Sequence, residues 1–180
     1  MRILVLCEGQ NEEVIINLLL DSNSLIFTRD DLIGRRIYAI RQLDNPFIKT
    51  ELKHYGEMVK VFRIGDKQTD SLLIPKELKG IINKSEIYKY CTKPEFEILL
   101  IINENLEKEY EKTKSKKSPK AFSKEYIKYN GIKYDQTKEF SEMYYGGKNI
   151  NKLIFNIKKY KSYKRKHNKD ELYLADLLKK

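Results

Sequence analysis

Residues 2–13 read Arg-Ile-Leu-Val-Leu-Cys-Glu-Gly-Gln-Asn-Glu-Glu, and this stretch decides the fold that the sequence predicts. An apolar run ends at Cys7, Glu8 and Gly9 follow it, and a second apolar run begins at Val14. The pattern predicts a buried strand, a tight turn that carries carboxylates and the first turn of a helix. Because α/β folds bind ligands where their strands end, Glu8 is the first candidate site residue.

Length and composition indicate a globular chain, because 180 residues with 41% apolar side chains suffice for one domain with a core, or for one domain and a small appendage. No apolar run approaches the ~20 residues that cross a bilayer, so we expect no membrane partner. The N-terminus does not have the pattern of a signal peptide, because Glu8 stands where a small-residue cleavage site is expected. We therefore expect a cytoplasmic protein.

The cysteines and histidines argue against a zinc site. Cys7 and Cys91 end apolar runs and are expected to be small buried residues, and the chain has no Cys-x-x-Cys pair. The two histidines, His54 and His167, are far apart in the sequence. A metal ion would therefore have oxygen ligands, which suit Mg²⁺ or Mn²⁺.

The net charge of +10 predicts a polyanionic partner, either DNA or RNA. The alternative is compositional, because AT-rich genomes encode proteins rich in lysine. Basic residues are interleaved with tyrosines in 158–169, where cations would neutralise phosphates and rings would stack on bases. The candidate nucleic-acid-binding residues are Lys158, Lys159, Lys161, Tyr163, Lys164, Arg165 and Lys166. The alternative interpretation of this segment is a solvated basic linker.

The first half alternates between strand and helix patterns. Strands are predicted over 2–7, 37–40, 58–64 and 86–91. Helices are predicted over 11–21 and 47–55, the second beginning after Asp44-Asn45-Pro46 and stopping at Gly56, and 72–82 is a short helix or a mixed segment. The alternation implies an α/β fold with a mostly parallel, four-stranded sheet flanked by helices.

The second half has a helical pattern. A long helix is predicted over 94–110, and a basic linker follows over 112–120. Further helical segments are predicted over 120–130, 136–145, 148–160 and 169–179, and no strand pattern appears after residue 92. We therefore expect an α/β domain over 1–111 and an all-helical, basic C-terminal extension over 112–180 that packs on or next to it.

Four acids are expected to meet at the carboxyl end of the sheet: Glu8, Glu12, Asp66 and Asp70. Carboxylates this close repel one another unless a cation is present, which predicts a metal site. Phosphodiester chemistry needs neutralised non-bridging oxygens and an activated nucleophile, and carboxylates that hold Mg²⁺ supply both. The alternatives are structural, since Glu12 stands where a helix dipole favours an acid and Asp66 where a turn does.

Two motifs carry a resemblance to a known family. Glu8-Gly9-Gln10-Asn11-Glu12 resembles the Glu-Gly-x-Thr-Glu motif of Toprim domains in OLD-family nucleases and RloB-like proteins, with Asn11 in place of threonine. The segment from Cys91 to Leu100 is similar to the Asn-Pro-x-Phe-Glu-Leu-Trp-Leu-Leu segment of RloB-like proteins, through Pro94, Phe96 and Glu97. The resemblance covers about residues 2–105 and implies a Toprim-like fold for 1–111.

The resemblance implies a magnesium-dependent nuclease, in phage defence or on a mobile element. It implies that Glu8 is the catalytic acid or base close to the metal, that Glu12 is a second metal ligand and that Asp66 is the first aspartate of an Asp-x-Asp motif. The second aspartate is missing from Asp66-Lys67-Gln68, and Asp70 is the candidate substitute. Glu97 is a further candidate, with a helix-terminal acid as the alternative.

Three classes of function remain open from the sequence. The first is a Mg²⁺- or Mn²⁺-dependent endonuclease, the second a non-catalytic nucleic-acid-binding protein with a degenerate Toprim site, and the third a binding or toxin module that acts on a protein. The chain contains no Gly-x-x-x-x-Gly-Lys-Ser/Thr motif. A partner ATPase would therefore be a separate chain, as would any other defence-system protein.

Overall fold

The structure is a computed structural model, and it describes residues 2–66, 71–92, 95–163 and 171–180. Its strands are β1 Arg2–Cys7, β2 Val59–Gly65, β3 Ile82–Cys91, β4 Lys128–Tyr129, β5 Ile132–Lys133 and β6 Leu172–Tyr173. Its α-helices are α1 Gln10–Asp21, α2 Pro46–Tyr55, α3 Ile98–Asn103, α4 Glu107–Thr113, α5 Pro119–Tyr126, α6 Lys138–Tyr145 and α7 Ile150–Tyr163. Short 3₁₀ turns occupy Arg29–Asp31, Ile33–Arg35, Lys76–Leu78, Gly147–Asn149 and Leu174–Leu177.

The main sheet has four strands in the order β1-β2-β3-β6, and all neighbours are parallel. The predicted α/β fold with a four-stranded parallel sheet flanked by helices is therefore confirmed. Cys7 pairs with Ile64, and Gly65 pairs with Cys91. The first three strands consequently end at the same edge of the sheet, which is where parallel folds place their ligands.

Each face of the sheet is covered by its own hydrophobic cluster. Along β1, Val5 and Cys7 belong to the cluster under α1, α3, α6 and α7, whereas Leu4 and Leu6 belong to the cluster under α2. Alternate residues of a strand point to opposite faces, so a continuous apolar run is needed to fill both layers. This is why the run before Glu8 has no polar residue.

The ends of α2 agree with the prediction. The Asn45 side chain accepts hydrogen bonds from the backbone N–H groups of Phe47 and Ile48 at 3.0 and 3.4 Å. Gly56 ends the helix in the left-handed conformation, with φ 72°. Both residues satisfy backbone groups that a helix end leaves without an intrahelical partner.

The predicted strand over 37–40 is wrong. Within this stretch, Tyr38 alone pairs with β1, in an isolated parallel bridge with Leu6. The Tyr38 N–H donates to the Val5 carbonyl, and the Tyr38 carbonyl accepts a hydrogen bond from the Cys7 N–H. The neighbouring turn explains the difference, because Gly34 and Arg35 both have positive φ and direct the chain away from an extended course. The fourth strand of the sheet is instead β6.

The predicted helix over 94–110 is interrupted. After α3, the Leu106 N–H donates to the Ile101 carbonyl and the Asn105 N–H to the Ile102 carbonyl, which is a Schellman motif. Asn105 has φ 56°, a left-handed conformation that asparagine tolerates better than most residues. The chain then begins α4 at Glu107.

The C-terminal region is helical as predicted, but three short strands that were not predicted lie in it. The hairpin β4-β5 turns at Asn130-Gly131, where both residues have positive φ. The predicted last helix over 169–179 is wrong where it is described, because β6 pairs with Tyr90 and Cys91 and a 3₁₀ turn follows. The predicted linker over 112–120 contains the end of α4 and the start of α5.

The C-terminal helices share the core of the first half. Helix α6 packs on α1, and α7 packs on α3. Val5 of the sheet and Tyr144 of α6 belong to the same buried cluster. The division at residue 111/112 stays a prediction.

Over the described ranges, no helix combines the length and the apolar character that crossing a membrane requires.

Candidate functional site

A cavity of about 370 Å³ lies at the carboxyl ends of β1 and β2, and we name it the carboxylate cavity. Its acidic lining residues are Glu8, Glu12, Asp66, Glu95 and Glu97. Its basic lining residues are Arg41 and Lys120. The structure therefore brings three of the four predicted metal ligands into one cavity, together with Glu97.

Glu8 and Asp66 are joined across the ends of two neighbouring strands. The Glu8 N–H donates to the Ile64 carbonyl at 3.0 Å, which continues the ladder by one residue. The Asp66 N–H then donates to Oε2 of Glu8 at 3.1 Å. Gly65 makes this possible, because a Cβ at that position would lie 2.8 Å from the same Glu8 oxygen.

Arg41 forms an ion pair with Glu8. Its Nη2 lies 3.5 Å from Oε1 of Glu8, and its Nε donates to the Glu8 carbonyl oxygen at 3.2 Å. The arginine side chain is 69% exposed, so the ion pair is screened by solvent and adds little stability. Arg41 is therefore available to contact a charged group that enters the cavity.

Asp66 is fixed by the end of the neighbouring strand. Its Oδ1 accepts a hydrogen bond from Oγ1 of Thr92 at 3.0 Å, and the Cys91 thiol donates to its carbonyl oxygen at 3.4 Å. Burial raises the pKa of Asp66, the Thr92 hydroxyl opposes the shift, and Glu8 and other cavity acids raise the pKa further. The side chain thus bonds across the sheet edge and also lines the cavity.

Glu12 lies in the first turn of α1 and is only 9% exposed. Burial raises its pKa, a hydrogen bond from its own backbone N–H opposes this, and Asp66, Glu8 and Glu97 raise it further. A Cβ at Gly9 would lie 3.1 Å from Oε2 of Glu12, so the side chain turns back over the glycine. The backbone N–H at the start of α1 stabilises the Glu12 carboxylate, whereas the charges of Asp66, Glu8 and Glu97 repel it.

Glu97 lies at the N-terminal boundary of α3 but does not cap the helix with its side chain. Its Oε1 accepts hydrogen bonds from the Tyr134 hydroxyl at 2.8 Å and from Nε2 of Gln136 at 3.0 Å. The carboxylate is therefore tied to the C-terminal region. The alternative of a simple helix-terminal acid does not describe these contacts.

Several predicted residues lie outside the described part of the chain: Asp70, Lys164, Arg165, Lys166 and the side chain of Tyr163. Of the remaining basic candidates, Lys158 is exposed. Lys159 forms an ion pair with Glu107 at 2.9 Å, and Lys161 forms one with Asp176. The charges of Lys159 and Lys161 are thus partly neutralised within the chain.

Four cavity contacts were not predicted from the sequence. Arg41 follows the 37–40 apolar run without a motif, and Lys120 reaches the cavity through its backbone N–H, which donates to Glu95 at 2.8 Å. Tyr134 and Gln136 follow the hairpin β4-β5. The Asn130-Gly131 dipeptide, which favours a tight hairpin turn, is the only sequence signal that indicates that this segment turns back toward the sheet.

The cavity suits a divalent cation in its donor chemistry, since Mg²⁺ and Mn²⁺ prefer carboxylate oxygens. Over residues 2–66, 71–92, 95–163 and 171–180, no group of three or more acidic, histidine or cysteine side chains converges closely enough to enclose an ion. A site with one or two carboxylates and several waters is the usual arrangement for Mg²⁺. Glu8 and Asp66 provide such a pair of carboxylates. Gly65 leaves space for the Glu8 side chain, and Gly9 leaves space for that of Glu12.

A scan against protein-family models found no match, and neither the search of curated proteins nor the search of solved structures found a matching protein.

Proposed function

We propose that the protein is a metal-dependent nuclease that cleaves nucleic-acid phosphodiester bonds in the carboxylate cavity with Mg²⁺ or Mn²⁺. The observation that carries the proposal is the meeting of Glu8 and Asp66 at the ends of β1 and β2, with Glu12 buried beside them. Burial raises the pKa of Glu12 and of Asp66 in this cavity, and the charges of Glu8 and Glu97 raise both pKa values further. A divalent cation is the simplest partner that offsets this repulsion.

Glu8 and Asp66 are the proposed principal ligands, and Glu12 supports them. A divalent cation held there would neutralise the scissile phosphate and lower the pKa of the attacking water. Glu8 is also the proposed general acid or base; the Asp66 N–H donates to its Oε2, and the exposed Arg41 guanidinium lies 3.5 Å from its Oε1. The resemblance to Toprim nucleases supports the same roles.

The exposed Arg41 side chain beside Glu8 suits a phosphate-bearing substrate. A guanidinium at an acidic cavity would bind non-bridging phosphate oxygens while the acids hold the metal. The net charge of +10 agrees with a polyanionic substrate.

The test is a cleavage assay on plasmid DNA, single-stranded DNA and single-stranded RNA. Each substrate is incubated with the protein and Mg²⁺, Mn²⁺ or a chelator. We expect cleavage that requires the metal and is lost in Glu8→Ala. Cleavage that survives Glu8→Ala would place the chemistry elsewhere and remove the proposal.

A second candidate function is nucleic-acid binding without cleavage. It is favoured by the Arg41–Glu8 ion pair, which already neutralises one proposed ligand, and by the missing Asp-x-Asp motif. The same assay separates the two, since this candidate predicts salt-sensitive binding and no metal-dependent product. A cytoplasmic location, a role in phage defence or on a mobile element, and a separate ATPase or other defence protein as partner belong to the proposal as expectations.

A further inference from the structure

A groove of about 380 Å³ lies between the end of α3 and one side of α7, and we name it the α7 groove. Asn103 lines it from α3, and Lys152, Phe155, Asn156 and Lys159 line it from α7. The α7 residues are spaced three and four apart, which places them on one side of the helix. None of these five residues lines the carboxylate cavity. The groove is therefore a second concave surface, with a volume in the range of roughly 300–1,000 Å³ that ligand sites have.

Phe155 provides an aromatic ring in this groove. It is 64% exposed, more than any other aromatic residue that the structure describes. Lys152 precedes it by one helical turn and is exposed, and Lys159 follows it by one turn and forms an ion pair with Glu107 at 2.9 Å. Proteins bind unpaired bases with this combination, because a base stacks on the ring while a lysine contacts a phosphate.

A chain of hydrogen bonds determines which atom the Asn156 amide presents. The Tyr144 hydroxyl donates to the Glu104 carboxylate, and Nδ2 of Asn103 donates to the Tyr144 oxygen. Nδ2 of Asn156 in turn donates to Oδ1 of Asn103 at 3.0 Å. Burial and the Glu104 carboxylate raise the pKa of Tyr144, so the hydroxyl keeps its proton. Since the carboxylate can only accept, it sets the direction of every bond in the chain.

The chain leaves Oδ1 of Asn156 as an acceptor. Asn156 is only 4% exposed and lines the groove. Among the residues that the structure describes, no group donates a hydrogen bond to this oxygen. An acceptor at so buried a residue is costly unless water or a ligand supplies a donor. Every nucleobase carries an N–H donor on its Watson–Crick edge, and that edge is free when the base is unpaired.

We propose that the α7 groove binds single-stranded nucleic acid. One unpaired base stacks on Phe155 and donates a hydrogen bond to Asn156, and Lys152 contacts a neighbouring phosphate. The proposal rests on the nucleic-acid substrate of the proposed function, but it requires neither the metal nor cleavage. It specifies the substrate class, because a base within a duplex offers neither a free face nor a free Watson–Crick edge.

Two features distinguish Phe155 from an ordinary exposed apolar residue. Single exposed apolar side chains are common and need no ligand, and Tyr126 on α5, which is 50% exposed, is an example. Phe155 instead lines a groove, and the next residue presents an acceptor there without a donor. Most other lining residues are asparagines and lysines, which suit a polyanion better than an apolar protein segment.

The test measures the fluorescence anisotropy of a labelled single strand of about 12 nucleotides with the full chain in chelator, where a metal-dependent nuclease does not cleave. The same strand is also used as a duplex and in an abasic form that keeps the phosphates. Phe155→Leu removes the ring and Phe155→Tyr keeps one. The matched control is Tyr126→Leu, which removes an exposed ring outside the groove. Since both positions are exposed, the melting temperatures are expected to stay the same.

We expect the intact single strand to bind about tenfold more weakly to Phe155→Leu, because a stacked base is lost. Phe155→Tyr and Tyr126→Leu should bind it as the wild type does. The duplex and the abasic strand should not distinguish Phe155→Leu from the wild type, since neither presents an unpaired base. Lys152→Ala should reduce the slope of log K against log salt for the single strand by about 0.7.

Single-strand affinity that is unchanged in Phe155→Leu, while Glu8→Ala abolishes cleavage, overturns this inference alone and indicates another occupant, such as a protein. A loss that Tyr126→Leu or the abasic strand shares also overturns it. Wild-type protein that binds single strands through Phe155 but cleaves no nucleic acid overturns the nuclease and leaves this inference standing. Absence of nucleic-acid binding to the wild type at low salt overturns both.

Discussion

The backbone N–H of Asp66 donates a 3.1 Å hydrogen bond to Oε2 of Glu8, a residue 58 positions earlier in the chain. The bond ties the turn after β2 to the turn after β1. It exists because parallel pairing brings the carboxyl ends of both strands to one edge and because Gly65 leaves space for the carboxylate. The position of Glu8 therefore depends on a residue without a side chain.

Gly65→Ala is expected to disable the site while leaving the fold intact. The new Cβ would lie 2.8 Å from Oε2 of Glu8, so the flexible carboxylate must move and lose the Asp66 bond. Stability should change by less than about 1 kcal/mol, since alanine reduces the entropy of the unfolded chain. The matched control is Gly80→Ala, whose Cβ meets no atom within 4 Å. Cleavage rate and melting temperature are measured for both, and equal cleavage by the two variants would contradict the role of Gly65.

Glu12→Gln is expected to stabilise the metal-free protein and weaken metal binding. The substitution removes a nearly buried charge whose pKa is raised by burial and by Asp66, Glu8 and Glu97. A gain of about 1 kcal/mol corresponds to a rise in melting temperature of roughly 2–4 °C for a chain of this length. Thermal unfolding in chelator checks this. A large fall in melting temperature would show that the Glu12 charge is stabilising.

The carboxylate cavity predicts a pH dependence of stability in chelator. The pKa values of Glu12 and Asp66 are raised by folding, so the folded protein retains protons that the unfolded chain releases near pH ~4. Their contribution to stability is complete below that pH and is lost as the pH rises through the raised values. Denaturant unfolding from pH 4.5 to 7.5 compares the wild type with Glu12→Gln/Asp66→Asn. The advantage of the double variant should grow with pH, and an advantage that is constant or shrinks contradicts the assignment.

Lys158 is expected to contribute to nucleic-acid binding through its charge. It is exposed, whereas Lys159 and Lys161 already form ion pairs with Glu107 and Asp176. Lys158→Ala should weaken binding uniformly across sequences and reduce the slope of log K against log salt by about 1. Lys180→Ala, which removes the same charge at an exposed terminal position, controls for net charge. Equal losses in both variants would indicate a general charge effect.

The sequence predicted the sheet edge better than the elements around it. The apolar runs before Glu8 and Gly65 were long enough to identify β1 and β2, and their carboxyl ends follow from parallel pairing. Tyr38 was assigned to a strand because its neighbours are apolar, but pairing there depends on the turn at Gly34 and Arg35. A local sequence pattern does not determine which segment a strand pairs with.

No sequence motif predicts the contacts that the C-terminal region makes with Glu97. Tyr134 and Gln136 are separated from Glu97 by 37 and 39 residues, and their approach depends on the two-residue strands of the hairpin β4-β5. Strands that short carry too little alternation to predict. The break after α3 was not predicted for a similar reason. Asn105 ends the helix by adopting a left-handed conformation, and the neighbouring residues do not indicate it.

The most direct test of the central claim, that the carboxylate cavity binds a divalent cation, is a crystal of the protein soaked in Mn²⁺ and measured at the manganese absorption edge. We expect an anomalous scattering peak between the carboxylates of Glu8 and Asp66. The same soak of Glu8→Gln crystals should lose the peak or weaken it strongly. A wild-type map with no peak at these carboxylates, at a Mn²⁺ concentration that supports cleavage, would contradict a divalent-cation site in the carboxylate cavity.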